Sequence, residues 1–288
     1  MLIILAQAMG MCFGVKDALQ AVDSLDNPRN VTILGEIVHN PTVQKGLLRR
    51  GFRSQAETDR AQLPESQQVL VTAHGISQTY RSRLDRAGKE VVDTTCPLVV
   101  KAHKAAAFWF SKGYQLVLVG KPGHVEVLGI TEDFPTTLVV TGPQDVAAGL
   151  APKVAVLAQT TTPSGLFHQV VERVSQLNPG SLVKTVDTVC RPTKERQTAN
   201  QELLRKVEAV VVVGGANSNN TLRLVEQAQA KGLPCWRVED ASELKQEWFS
   251  GFRLVGLTAG TSTPQESIDA VHRQLLQWGR PRLAQISG

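Results

Sequence analysis

Three cysteines, Cys12, Cys96 and Cys190, are the side chains in this sequence best suited to unusual chemistry. They stand 84 and 94 residues apart in a chain of 288, close to one third of its length. Cys12 sits in Gly10-Met11-Cys12-Phe13-Gly14-Val15, where flanking glycines let backbone approach a bulky group. Val92-Asp93-Thr94-Thr95-Cys96-Pro97 is echoed by Val186-Asp187-Thr188-Val189-Cys190-Arg191-Pro192. That repeat argues against three unrelated core cysteines, the ordinary setting of a free thiol. Helix starts near Cys96 and Cys190 would lower thiolate pKa and donate N–H groups to sulfur. Three thiolates suit zinc with an open fourth position. They equally suit a [4Fe–4S] cluster with one iron lacking a protein ligand. Cys235, in Leu233-Pro234-Cys235-Trp236, reads as a core cysteine.

Three of the six histidines lie in loops marked by glycine or asparagine: Val38-His39-Asn40, Ala73-His74-Gly75 and Gly123-His124-Val125-Glu126. His103, His168 and His272 fall in helical patterns and read as structural. Three further loops are rich in hydroxyls and amides: Gln159-Thr160-Thr161-Thr162, Asn217-Ser218-Asn219-Asn220-Thr221 and Thr258-Ala259-Gly260-Thr261-Ser262. Each follows an apolar run and opens a helical one. A single such loop would be helix capping. Three of them, beside three histidines, point to an anion site built on helix N-termini. Glu126, two residues after His124 in a strand-end loop, is a candidate proton donor; alone it would read as a solvated carboxylate.

These residues need a scaffold. Continuous apolar runs at Val69–Thr72, Leu116–Val119, Val154–Leu157, Val210–Val213 and Leu254–Leu257 suit parallel strands covered on both faces. Helical patterns occupy 15–25, 77–88, 98–112, 164–177, 194–207, 221–231 and 265–278. The alternation predicts an α/β fold of three similar lobes with parallel sheets: residues 13–96, 97–192 and 193–288, with 1–12 at the centre. Ligand sites in such sheets lie at the carboxyl ends of strands.

Composition narrows the function. Hydrophobic residues make up 42% and charged residues 20%, as in globular chains. No run is long and apolar enough to span a bilayer. Met1–Ala6 lacks the basic flank of a signal peptide and reads as a first buried strand of a cytoplasmic protein. The net charge of +5 is scattered, without the basic stripe and exposed aromatics of a nucleic-acid binder.

The motif set resembles the LytB/IspH family of 4-hydroxy-3-methylbut-2-enyl diphosphate reductases. The likeness runs from Gly10 to about Pro264 and is carried by the cysteine, histidine and hydroxyl loops above, with Thr193-Lys194-Glu195-Arg196-Gln197. It implies lobes around one central [4Fe–4S] cluster ligated by Cys12, Cys96 and Cys190, one iron being left for the substrate hydroxyl. It implies that His39, His74, His124, Ser218, Asn219, Asn220 and Ser262 grip a small diphosphate. Glu126 falls on the family's proton donor and Thr160 on its supporting hydroxyl. The implied reaction is reductive dehydroxylation to isopentenyl and dimethylallyl diphosphates, in non-mevalonate isoprenoid synthesis. The basic balance suits an acidic ferredoxin or flavodoxin as electron donor. Ala216 stands where the family commonly has Lys or Arg, and Asn219 where it commonly has Ser. The alternatives are a divergent relative with the same cluster and another substrate, and a zinc hydrolase or phosphate-binding module.

Overall fold

The computed structural model describes residues 1–38, 40–56, 59 and 61–279. The chain opens with β1 (Leu2–Leu5) and α1 (Phe13–Asp23). There follow β2 (Val31–Leu34), α2 (Pro41–Arg50), β3 (Arg53–Gln55), β4 (Gln68–Val71), α3 (Gln78–Arg86) and β5 (Glu90–Asp93). The next stretch holds α4 (Pro97–Ser111), β6 (Gln115–Val119), α5 (Val125–Thr131), β7 (Leu138–Val140), β8 (Lys153–Ala158), α6 (Ser164–Leu177) and β9 (Leu182–Thr185). The last holds α7 (Arg191–Leu203), β10 (Ala209–Val213), α8 (Asn219–Ala230), β11 (Cys235–Val238), β12 (Leu254–Ala259) and α9 (Gln265–Gly279).

These strands form three parallel sheets, ordered β3-β2-β4-β5, β7-β6-β8-β9 and β11-β10-β12-β1. The three orders are identical once β1 is read as the fourth strand of the third lobe. Leu2 pairs with Leu254 and Leu5 with Leu257, so the opening strand is hydrogen-bonded into a sheet from the far end of the chain. It is an edge strand with Leu2 and Leu5 exposed, not the buried strand its apolar sequence suggested. An edge strand has one neighbour, and its apolar side chains are covered only in part. Backbone contacts divide the chain into two compact units. One is Phe13–Lys194, holding the first two sheets; the other joins Met1–Cys12 to the chain from Glu195 onward.

The two central strands of each sheet are the buried ones: β2 and β4, β6 and β8, β10 and β12. Valine dominates them, with leucine next, because apolar and above all β-branched side chains fill both covered faces of a pleated sheet. Helices pack with apolar residues at helical spacing, as Phe167, Val170 and Val174 on α6 and Ile268, Val271 and Leu275 on α9. Two helices, α2 and α5, lie outside the predicted helical spans. Among the described residues no helix is long and apolar enough to cross a membrane.

Candidate functional site

The shared strand order puts the predicted site residues at matching places. Each cysteine follows its lobe's edge strand β1, β5 or β9 and stands immediately before a helix, α1, α4 or α7. The Cys12 N–H donates to Thr261 O at 3.3 Å, Cys96 N–H to Ala73 O at 3.0 Å and Cys190 N–H to Thr160 O at 2.9 Å. Each of those carbonyls lies two residues past the neighbouring strand β12, β4 or β8. The repeat that the sequence offers only for Cys96 and Cys190 thus extends to Cys12 in backbone geometry.

All four cysteines are free thiols. Gly14, two residues after Cys12, lies against Cys96: a Cβ there would come within 2.6 Å of its Sγ. Only glycine admits so close a sulfur. The Cys190 Sγ is 3.0 Å from the Thr193 hydroxyl. Arg196, buried on α7, donates to the Gly10 carbonyl from Nε at 3.0 Å and Nη2 at 2.8 Å, bracing the loop that leads to Cys12. No signal in the sequence assigned Arg196 that role. Each of the three thiols stands at a helix N-terminus, a setting that suits a soft-metal ligand, and one of them lies 3.0 Å from a hydroxyl. Among the described residues, no three His, Cys, Asp or Glu side chains are grouped to hold a metal ion; what the three cysteines share is a local setting. Cys235 lies on β11, apart from this pattern; burial pushes its thiol up to about 11.

The anion-site candidates also recur. His124 and Ser218 each stand five residues past the first strand of their lobe and cap the following helix. His39 holds the same position after β2 and lies outside the described residues. His74 and Ser262 stand three residues past β4 and β12. In the first unit the His74 and His124 rings meet edge to face, 5.6 Å apart at 88°. The His124 Nδ1 accepts the Glu126 N–H at 3.2 Å. With Nδ1 accepting, the neutral ring carries its proton on Nε2 and presents it as a donor.

In the second unit the Ser262 hydroxyl donates to the Ser218 hydroxyl at 3.4 Å, and Ser218 in turn accepts from Thr221 N–H at 3.3 Å. Asn219 is half-buried in the first turn of α8. Asn220 is 1% exposed, yet neither its side-chain oxygen nor its nitrogen has a hydrogen-bond partner among the described residues. The Thr221 and Thr258 hydroxyls share that condition. Buried polar groups are normally paired, and an unpaired amide at a strand-end helix start is what an absent ligand would satisfy. Ala216 is exposed, so the side chain the family commonly places there would meet solvent.

Glu126 differs most from expectation. The sequence placed it in a loop; it lies in the first turn of α5 and is 1% exposed. Val125-Glu126-Val127-Leu128 has the alternation of a strand. It folds as helix because His124 caps it and Val125, Val127 and Ile130 are buried. The carboxylate accepts twice from Thr160: the backbone N–H reaches Oε1 at 2.7 Å and the hydroxyl reaches Oε2 at 2.9 Å. Burial disfavours its charge and raises its pKa from 4.5 to about 7, against the opposing pull of the two Thr160 bonds. A buried acid that holds its proton near neutrality can give it up on demand.

The chain resembles known proteins over nearly its whole length. A family model described as LytB protein matches residues 3–276. The 4-hydroxy-3-methylbut-2-enyl diphosphate reductase of Oleidesulfovibrio alaskensis is 38% identical over 276 residues, covering 94% of this chain and 97% of that protein. Its namesake from Burkholderia pseudomallei is 34% identical over 294 residues, covering 100% and 93%. A solved structure of E-1-hydroxy-2-methyl-but-2-enyl-4-diphosphate reductase from Plasmodium falciparum superposes with a TM-score of 0.87 at 26% identity, covering 98% of this chain and 89% of the other. Another, of the (E)-4-hydroxy-3-methyl-but-2-enyl diphosphate reductase that ends the non-mevalonate pathway, gives 0.67 at 35% identity, covering 96% and 99%.

Proposed function

This chain belongs to the LytB protein family, and from that premise we propose that it is a 4-hydroxy-3-methylbut-2-enyl diphosphate reductase. Its reaction removes the allylic hydroxyl with two electrons and two protons, releasing water and leaving isopentenyl and dimethylallyl diphosphates. The observation that carries the reading is Glu126: a carboxyl 1% exposed, held by Thr160 and poised near pH 7, two residues along the chain from His124.

Cys12, Cys96 and Cys190 ligate one [4Fe–4S] cluster with one iron lacking a protein ligand, a role supported by their common setting before α1, α4 and α7. When bound, the cluster supplies electrons one at a time, which organic side chains cannot do. His39, His74, His124, Ser218, Asn219, Asn220 and Ser262 bind the diphosphate, with the unpartnered Asn220 side-chain nitrogen donating to phosphate oxygens. That remote binding energy holds the hydroxyl in place for reaction. Glu126 protonates the departing oxygen, since hydroxide is a poor leaving group, and Thr160 keeps the carboxyl oriented. The electron donor is a ferredoxin or flavodoxin, whose acidic surface complements the net charge of +5.

The test is anaerobic turnover of the diphosphate ester with a chemical reductant. Glu126→Gln keeps size and hydrogen bonding but has no acidic proton. Its turnover is expected to fall by about 10²–10⁴-fold while the ester still perturbs the cluster's spectrum. Near-normal turnover by that variant, or no product from cluster-loaded wild type, overturns the reading.

A further inference from the structure

We propose that Glu132 and Asp133 are positioning residues for this reaction, forming a carboxylate latch between the His74 loop and the helix that carries His124 and Glu126. The proposal rests on reading His74 and His124 as diphosphate-binding groups. The latch lies at the N-terminus of α3, three residues after His74. There the first three N–H groups of a helix lack intrahelical partners. Asp133 Oδ2 accepts from Gln78 N–H at 2.8 Å, and its Oδ1 accepts from Thr79 N–H at 2.9 Å and the Thr79 hydroxyl at 2.8 Å. The third donor, Tyr80 N–H, goes to the Ser77 hydroxyl at 3.0 Å. That hydroxyl, fully buried, donates in turn to Glu132 Oε2 at 2.6 Å.

A helix is normally capped from its own approach segment. Here two of the three donors are satisfied by a residue 54 to 55 positions away in the chain, in another lobe of the same unit. The acceptors sit just past the C-terminal end of α5, whose first turn holds Glu126 and whose cap is His124. The latch therefore ties the segment after His74 to the far end of the helix begun by His124. The middle of α5 is held close as well. A Cβ on Gly129 would meet the His103 ring at 2.8 Å and the Ile76 carbonyl carbon at 3.6 Å. With α5 and the 74–77 loop fixed at both places, the His74 and His124 rings keep their 5.6 Å edge-to-face contact. Two imidazoles that grip one diphosphate need that spacing set before the ligand arrives. Misplacement by about 1 Å is enough to cost affinity or rate heavily.

The experiment uses the full-length, cluster-loaded protein and two variants, Asp133→Asn and the double variant Glu132→Gln with Asp133→Asn. Asp145→Asn serves as control, because Asp145 makes a similar bond to Thr141 that ties no lobes together. Three quantities are compared: kcat and KM for the diphosphate ester, the Kd of inorganic diphosphate by anaerobic calorimetry, and amide hydrogen exchange. In the double variant KM and the diphosphate Kd are expected to rise together by roughly tenfold, with kcat and iron content little changed. Exchange is expected to quicken in 74–80 and 124–131 together. Faster exchange with unchanged KM and Kd would reduce the latch to a purely structural cap and overturn the proposal. Unchanged exchange overturns it outright. A wild type that binds neither inorganic diphosphate nor the ester refutes the functional reading instead, and the exchange comparison still decides whether the latch exists.

Discussion

Replacing Glu126 with Gln converts a buried acid into a permanent imitation of its protonated form, and the effect on stability follows from the structure. Burial raises the carboxyl from 4.5 to about 7. Between those values the folded protein holds a proton that the unfolded chain has released. Stability therefore falls as pH rises through that window, and the loss is complete above the folded pKa. At about 1.4 kcal/mol per pKa unit, the rise from 4.5 to about 7 costs about 3 kcal/mol. The Glu126→Gln variant avoids this cost. Its new amide oxygen accepts from Thr160 N–H as Oε1 does, and its amide nitrogen faces the Thr160 hydroxyl, which turns from donating to the carboxylate to accepting from the amide. The assay is urea unfolding of both proteins at a series of pH values from about 4 to about 8. Other carboxylates titrate equally in both and cancel in the difference. Near pH 4.5 the two should match. By about pH 8 Glu126→Gln should be the more stable by about 3 kcal/mol. A difference that stays constant with pH would refute the assignment of a raised pKa, and with it the physical case for Glu126 as the proton donor.

Replacing Cys12, Cys96 or Cys190 with Ser should sharply lower iron and sulfide content after anaerobic purification, whereas Cys235→Ser should leave both unchanged. Full occupancy in Cys96→Ser would remove it as a ligand. Asn220→Leu keeps the side-chain shape but removes two buried polar atoms that have no partner, so denaturant unfolding should show it more stable by about 1–3 kcal/mol while calorimetry shows weaker binding of the diphosphate ester. A destabilised Asn220→Leu protein would mean that the amide is already satisfied. Phe167→Ala should lose about 3–5 kcal/mol in the same assay, because the ring is wholly buried against β8 and its neighbours.

Much of the fold was legible because its central strands are continuous β-branched runs, which few other structures can bury. Val210–Val213 and Val154–Leu157 fall within β10 and β8 as expected. The edge strands were harder to read. β5 and β9 carry polar residues on their open sides and lack that signal. Helix α5 was missed because seven residues rich in valine and isoleucine alternate like a strand. Its helical state depends on a histidine cap and on burial, neither of which local propensity contains.

The sequence alone determined the residue types, their order along the chain and the continuous runs that become buried strands. It therefore specified three parallel lobes and one cysteine near each. Tertiary structure alone decided which sheet takes β1, since parallel pairing with β12 joins Leu2 to Leu254, at opposite ends of the chain. It also decided the acidity of Glu126, because desolvation depends on every neighbour that excludes water and on Thr160, 34 residues away. The latch belongs to the same class. Glu132 and Asp133 are two ordinary acidic residues in the sequence; folding brings the N-terminus of α3 within hydrogen-bond reach of both.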